Sequence, residues 1–283
     1  MSAPDSDRVR AEVLEGWERM AARWGEAADE MRGPWMPVSS WLIDALELQP
    51  GQRVLELAAG PGDTGFLAAE LIAPGGLLIC SDAAEAMLEV ARERAARLRI
   101  PNVEFQQLSL EWIDLPAADV DAVLCRWGLM FAIDPGAALQ EMRRVARPGG
   151  RIALAVWDEP QRNPWMTIPR QALIEAGHLE APDPSLPGPF TLSEPGRLHA
   201  LLDEAGFTEV VIDVVDIERR FPDVERYLAS TVAISSVVAE RWPGLSDAQR
   251  AAIVARVAEL AQPFTSADGI ALPGRTLVAS ASA

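Results

Sequence analysis

The 283-residue chain contains no lysine, and all 25 of its basic residues are arginine. That removes Schiff-base chemistry, the phosphate-gripping lysine of P-loops and every other lysine-dependent mechanism. Tyrosine is nearly as scarce, with Tyr227 alone, and histidine is limited to His178 and His199. The two cysteines, Cys80 and Cys125, sit in apolar runs; unpaired buried thiols suit a reducing compartment, and neither is expected to ligate a metal. No apolar run reaches the roughly 18 residues of a membrane span, and residues 1–13 are polar and charged, unlike a signal peptide. Forty-two acidic residues leave a net charge of −17, which argues against nucleic acid and against an anionic membrane surface. The expectation is a cytoplasmic protein, monomer or homodimer, whose partner is a small molecule.

What is present is a hydrophobic fraction of 49%, enough for one large core. Apolar runs at Arg53–Ala58, Leu77–Ser81, Val103–Gln107, Ala122–Arg126 and Arg151–Trp157 alternate with helical patterns at Asp63–Ile72, Ala84–Leu98 and Pro135–Val145. Such alternation predicts an α/β protein with a mostly parallel sheet, covered on both faces and binding ligands at the carboxyl ends of its strands. Residues 8–48 read as two helices broken at Pro34 and Pro37. After Trp157 come a proline-rich connector with a helix over Trp165–Ala176, a helix over Leu198–Ala205, a strand over Val210–Ile217, helices over Val224–Glu240 and Asp247–Ala261, and a last strand over Arg275–Ala281. The expected units are an N-terminal helical cap (1–48), a core (49–158), a connector or lid (159–190) and the rest of the sheet (191–283) with a helical insertion (222–262) that is expected to act as a lid over the acceptor.

The segment that carries chemistry is Glu56-Leu57-Ala58-Ala59-Gly60-Pro61-Gly62-Asp63-Thr64-Gly65, a strand entering a glycine-rich turn and a helix. Glycine lets such a backbone turn sharply and approach a ligand. Gly60, Gly62 and Gly65 spell the dinucleotide pattern G-x-G-x-x-G, and Asp82 follows twenty residues after Gly62. Charge points away from a pyrophosphate, because Glu56 and Asp63 flank the turn; they suit the sulfonium and ammonium of S-adenosylmethionine (SAM). A dehydrogenase would also lack its usual tyrosine and lysine pair. Asp82, ending the second strand, is placed to accept from both ribose hydroxyls, though it could simply cap the next helix.

Glu56 to Gly65 resembles the first motif of the class I SAM-dependent methyltransferases, in the form carried by the ubiquinone/menaquinone C-methyltransferase group. Cys80-Ser81-Asp82 with Met87-Leu88 resembles the second motif, Leu115-Pro116 with Val120-Asp121-Ala122-Val123 the fourth strand, and Arg144-Val145-Ala146-Arg147-Pro148-Gly149-Gly150 the turn before the fifth. The resemblance covers residues 40–160 and implies a Rossmann-like seven-stranded sheet of order 3-2-1-4-5-7-6 with helical cap insertions. In that order strand one separates the two cysteines by about 9.6 Å, beyond disulfide reach. SAM is the implied cofactor, held by Glu56, Ala58, Gly60, Gly62, Thr64, Asp82, Ala83, Met87, Ser109, Leu110, Glu111 and Arg126. Ala58 stands where the commonest motif has Gly, and Ser109 where the family has an adenine-binding Asp, which shifts that contact toward Leu110 or Glu111.

Trp127, Met130 and Phe131 follow the fourth strand, the edge from which the family's reactive methyl is approached, and Trp17 and Trp24 belong to a segment that folds over the cofactor in the family; all five are expected to face the substrate or pack as core. His178 is the candidate general base, and no catalytic residue is otherwise assigned. The implied activity is methyl transfer to a small, largely apolar acceptor, neutral or cationic, at oxygen by default. The alternatives are a quinone-type C-methyltransferase, a SAM-binding module without catalysis, and a nicotinamide-dependent oxidoreductase.

Overall fold

The computed structural model describes residues 3–194 and 196–283; residues 1, 2 and 195, which fall in the expected cap and C-terminal part, lie outside the described residues. The chain runs from helix α1 (Ala3–Ala45) through β1 (Arg53–Glu56), α2 (Asp63–Leu71), β2 (Leu77–Asp82), α3 (Glu85–Leu98), β3 (Val103–Gln107), β4 (Val120–Arg126), α4 (Pro135–Val145) and β5 (Ala146–Trp157). It continues with α5 (Pro164–Glu175), α6 (Arg197–Glu204), β6 (Thr208–Phe221), α7 (Val224–Ile234), α8 (Ser236–Arg241), α9 (Asp247–Ala261), β7 (Thr265–Ser266) and β8 (Gly269–Ser282). The sheet order is β3-β2-β1-β4-β5-β8-β6, with β7 paired on β8. Strands β1 to β5 are parallel, while β8 inserts antiparallel between β5 and β6. This is the expected Rossmann-like order. Cys80 and Cys125 are free and buried on β2 and β4, with β1 between them.

The expected break in the N-terminal cap does not occur. Residues 3–45 form one helix that contains Pro34 and Pro37. Proline removes a helical hydrogen bond and crowds the preceding turn, but here Met31, Trp35, Val38 and Leu42, spaced by three and four, are all buried in the main core. Burial of that stripe outweighs the local cost, so tertiary packing overrides the proline signal. The expected helix over 224–240 is in turn divided at Ser235, whose extended backbone (φ −104°, ψ 109°) ends α7 and starts α8. Ser235-Ser236 is a pair whose hydroxyls compete for backbone bonds and favour helix ends.

α1 packs against α2 and α3 on one side and α7 and α8 on the other, and α4 packs against α6. Helices α7 to α9 are buttressed from below: the Tyr227 hydroxyl, buried, donates to the carbonyl of Trp165 (2.7 Å), and α9 packs on α5. Parallel pairing aligns the carboxyl ends of β1, β2 and β4, so Glu56, Asp82 and Arg126 arrive along one edge of the sheet.

Candidate functional site

The turn after β1 needs left-handed backbone at Ala58 (φ +51°), Gly60 (φ +53°) and Gly62 (φ +84°). Ala58 adopts a conformation that costs an L-residue about 1–2 kcal/mol. Gly65, in the first turn of α2, is required for a different reason: a Cβ there would collide with Glu56 Oε2. Glu56 Oε1 accepts from the Gly65 N–H (2.8 Å), whereas Oε2 is buried with no partner. Burial, the largest effect, opposed by the Arg126 guanidinium, pushes the Glu56 carboxyl up to about 8. Gly65→Ala is therefore expected to displace the Glu56 carboxylate and abolish ligand binding at this turn while leaving the circular dichroism spectrum unchanged; a variant that binds like wild type would release Glu56 from the site.

Asp82 Oδ2 accepts from Gly60 N (2.9 Å) and Oδ1 from Ala84 N (3.0 Å), so one carboxylate joins the glycine turn to the start of α3. Burial raises it to about 6, against the backbone donors that lower it. Arg126 ends β4 half-buried, its guanidinium 4.8 Å from the Trp127 ring centroid and 5.5 Å from that of Trp35. Among the described residues its one hydrogen bond runs from Nη1 to Ser39 Oγ (3.1 Å), and Nε and Nη2 have no acceptor. Around these groups lies a cleft of about 390 Å³. Its wall combines the charged groups Glu56, Asp82 and Arg126 with the rings of Trp17, Trp24, Trp127 and Phe131.

α1 closes over the cleft by three contacts. Arg10 Nε and Nη2 donate to Glu111 Oε2 (3.1 and 2.6 Å). Glu18 caps α3 by accepting from Glu85 N (2.8 Å) and Ala86 N (3.0 Å), supplying negative charge at the helix N-terminus. Trp24 Nε1 donates to the Ile234 carbonyl on α7 (3.1 Å).

A protein-family model for a methyltransferase domain matches residues 48–182. The ubiquinone/menaquinone biosynthesis C-methyltransferase UbiE of Cronobacter sakazakii is 30% identical over 181 residues, 59% of this chain and 71% of that protein. The enzyme of the same name from Pasteurella multocida is 34% identical over 127 residues, 44% of this chain and 47% of that protein. The chain belongs to the class I SAM-dependent methyltransferases. Solved structures share the fold: the YcgJ protein of Bacillus subtilis has a TM-score of 0.57 at 19% identity, covering 86% of this chain and 97% of that one. Phosphoethanolamine N-methyltransferase 2 of Haemonchus contortus, bound to S-adenosyl-L-methionine, scores 0.51 at 15% identity over 86% of this chain and 51% of that one.

The residues present suit the methyltransferase cofactor, SAM. An unpartnered buried carboxylate oxygen on Glu56 matches the methionyl ammonium, and the unused donors of Arg126 match the carboxylate beside it. Of the residues expected to hold the cofactor, the cleft brings together Glu56, Ala58, Gly60, Asp82, Ala83, Met87, Ser109, Leu110, Glu111 and Arg126. Gly62 and Thr64 are absent from the cleft wall: Gly62 is the N-cap of α2, and buried Thr64 bonds Ser39 (3.0 Å). Trp17, Trp24, Trp127 and Phe131 line the cleft; Met130 is buried behind it. His178 follows α5, its backbone N–H bonded to Leu173 O, and is absent from the wall; His199 pairs with Asp203 on the solvent-facing side of α6. Glu111 spends Oε2 on Arg10 and Oε1 on the Asp134 N–H (2.7 Å), so Ser109 and Leu110 are the freer neighbours for adenine.

Sequence reasoning missed Arg10, Val13 and Leu14, which line the cleft with Trp17 and Trp24. Offsets of 3, 4, 7 and 14 put all five on one face of α1; extending the tryptophan stripe toward the N-terminus would have found them. It also missed Arg94, which donates to Pro61 O (3.1 Å), Asp29 (2.9 Å) and Asp63, clamping the glycine turn from α3.

Proposed function

We propose that the enzyme methylates a small, largely apolar acceptor, at oxygen. The observation that carries this reading is that one cleft combines the polar groups Glu56, Asp82 and Arg126 with an aromatic wall of Trp17, Trp24, Trp127 and Phe131. When bound, SAM supplies a methyl group on a positively charged sulfur, an electrophile that needs little further activation. Glu56 and Arg126 would fix the amino-acid moiety, Asp82 the ribose, and Met87, Leu108 and Leu110 the adenine. The aromatic walls would orient the acceptor in line and keep water out, which can supply most of the acceleration of such a displacement. Their π faces also favour a cationic centre. Among the described residues no histidine lines the cleft, so this reading uses no histidine base.

The units follow as residues 1–48 for the cap, 49–158 for the cofactor core, 159–190 for the connector and 191–283 for the rest of the sheet. The insertion 222–262 acts indirectly in this scheme, because none of its residues lines the cleft. Its part is to hold α1 in place through Trp24, Arg23 and Arg19, which contact Ile234 O, Val232 O and Glu240. Methylation at carbon of a quinone-type ring is the second reading, favoured by the relatives at about 30% identity. Calorimetry is expected to give micromolar binding of SAM and none of NAD or NADP. Incubation with labelled SAM and a panel of phenols and hydroquinones, followed by mass spectrometric location of the methyl group, separates oxygen from carbon. No turnover with any acceptor would leave a SAM-binding module.

A further inference from the structure

Among the described residues, two side chains of the cleft wall each carry a buried polar atom without a partner: Glu56 its Oε2, an acceptor, and Trp127 its Nε1, a donor. The first is matched by the cofactor's ammonium. The second has no counterpart in the cofactor-binding scheme above, since Arg126 serves the carboxylate. Two other buried tryptophans, Trp35 and Trp165, also have an unpartnered Nε1, but neither reaches the cleft.

Trp127 is held with unusual firmness. Its backbone is left-handed (φ +58°), a conformation that non-glycine residues rarely adopt and that clusters at binding sites. The indole stacks on Trp157 (centroids 4.2 Å apart, planes at 12°), meets Trp35 edge-on (5.1 Å, 72°), and carries the Arg126 guanidinium over its ring. Three fixed neighbours set the direction of the N–H before any acceptor arrives, and such preorganisation is what a positioning donor requires.

We infer that the Trp127 indole N–H anchors the methyl acceptor, and that the acceptor therefore offers an oxygen lone pair, as a phenol or phenolate, on a planar ring. An indole donates only, so a protonated amine, which has no lone pair to offer, leaves this donor unpaired. Unpaired buried donors are what make a site built for a hydroxyl reject analogues lacking one. The inference rests on the methyl-transfer reading and narrows it: of the neutral and cationic acceptors expected from composition, it retains the neutral, adds the phenolate and drops the cationic.

The test compares 2-naphthol with naphthalene, which has the same rings and no oxygen, binding to wild type and Trp127→Phe by calorimetry with and without S-adenosylhomocysteine. Phenylalanine keeps an aromatic ring in the wall and removes the N–H. Expected are a roughly fivefold to tenfold preference of the wild type for 2-naphthol, its loss in the variant, and S-adenosylhomocysteine affinity unchanged within twofold. Weaker binding of both probes alike would mean that Trp127 only packs, and a preference that survives substitution would place the donor elsewhere. Loss of S-adenosylhomocysteine binding in the variant would assign Trp127 to the cofactor; each of these results overturns the inference. Should the variant not fold, the wild-type comparison decides alone, because equal affinities, or no binding of either probe, refute it. Failure of the methyl-transfer reading shows separately, as absence of SAM binding or of transfer to 2-naphthol while the preference for 2-naphthol persists.

Discussion

Asp82→Ala is expected to weaken SAM binding by about 2–4 kcal/mol, because two charge-assisted hydrogen bonds to the ribose are lost. The same carboxylate ties Gly60 N and Ala84 N together, so the variant also loosens the turn and the start of α3. Calorimetry on the folded variant reads the loss directly, and an unchanged dissociation constant would remove Asp82 from the site. A pH series gives an independent reading of the same carboxylates. Burial lifts Glu56 to about 8 and Asp82 to about 6, above the usual carboxylate range. The free protein thus holds Glu56 protonated at neutral pH, and pairing with an ammonium requires that proton to leave. Observed affinity should rise with pH toward about 8 and fall again as the cofactor's own α-amino group loses its proton, with an additional fall below about 6 as Asp82 is protonated. Stability of the cofactor-free protein runs the other way: a raised folded-state pKa contributes stability below the unfolded value, lost as pH rises through 6 and then 8. SAM should offset that loss. Affinity flat between pH 6 and 8, or Glu56→Gln binding as tightly as wild type, would contradict this account.

Arg94→Met should lower the unfolding free energy by about 3–5 kcal/mol, the cost of leaving one member of a buried ion pair behind. Arg94 and its partner Asp63 have side chains only 6% and 9% exposed, so water can do little for the abandoned carboxylate. For a chain of this size the melting temperature would drop by on the order of 10 °C. Arg94 also donates to the Pro61 carbonyl and to Asp29 of α1, so the loss would loosen the glycine turn and the cap together. SAM binding is expected to weaken alongside stability. Scanning calorimetry with and without SAM checks both; a shift within 2 °C would mean that Asp63 finds another partner. Arg94→Met with Asp63→Leu should recover part of the loss, because both charges then disappear together.

The strands and the turn between β1 and α2 were legible because each rests on local signals, whereas the strand order came from the family resemblance. Apolar runs bounded by glycine mark strands, and the offset from Gly62 to Asp82 reflects the length of one β-α-β unit. Asp134 caps α4 by accepting from Ala137 N, with Pro135 at the first helical position, a start that residue type alone specifies. Where a local signal met a packed surface, it lost. Pro34 and Pro37 predict a break, yet Met31, Trp35, Val38 and Leu42 bury against the core and the helix continues. His178 looked accessible to the substrate because its connector follows β5, but nothing in the sequence says where a proline-rich segment turns.

Determined by the sequence alone were the chemistry of the carboxyl edge and the kind of ligand it suits: acid at residues 56 and 82, glycine where the backbone must turn left-handed, and no lysine to support the competing reactions. These follow from residue type and short spacing, which set backbone conformation and charge before any long-range contact forms. Only the tertiary structure decided which groups are left without partners. Glu56 Oε2 and Trp127 Nε1 are unpaired because β1, β2 and β4 meet under α1 and exclude water there, and Arg126 is free to bind because Ser39, 87 residues away, takes just one of its donors. Whether a buried polar atom is satisfied depends on neighbours drawn from distant parts of the chain, and residue spacing carries no record of them.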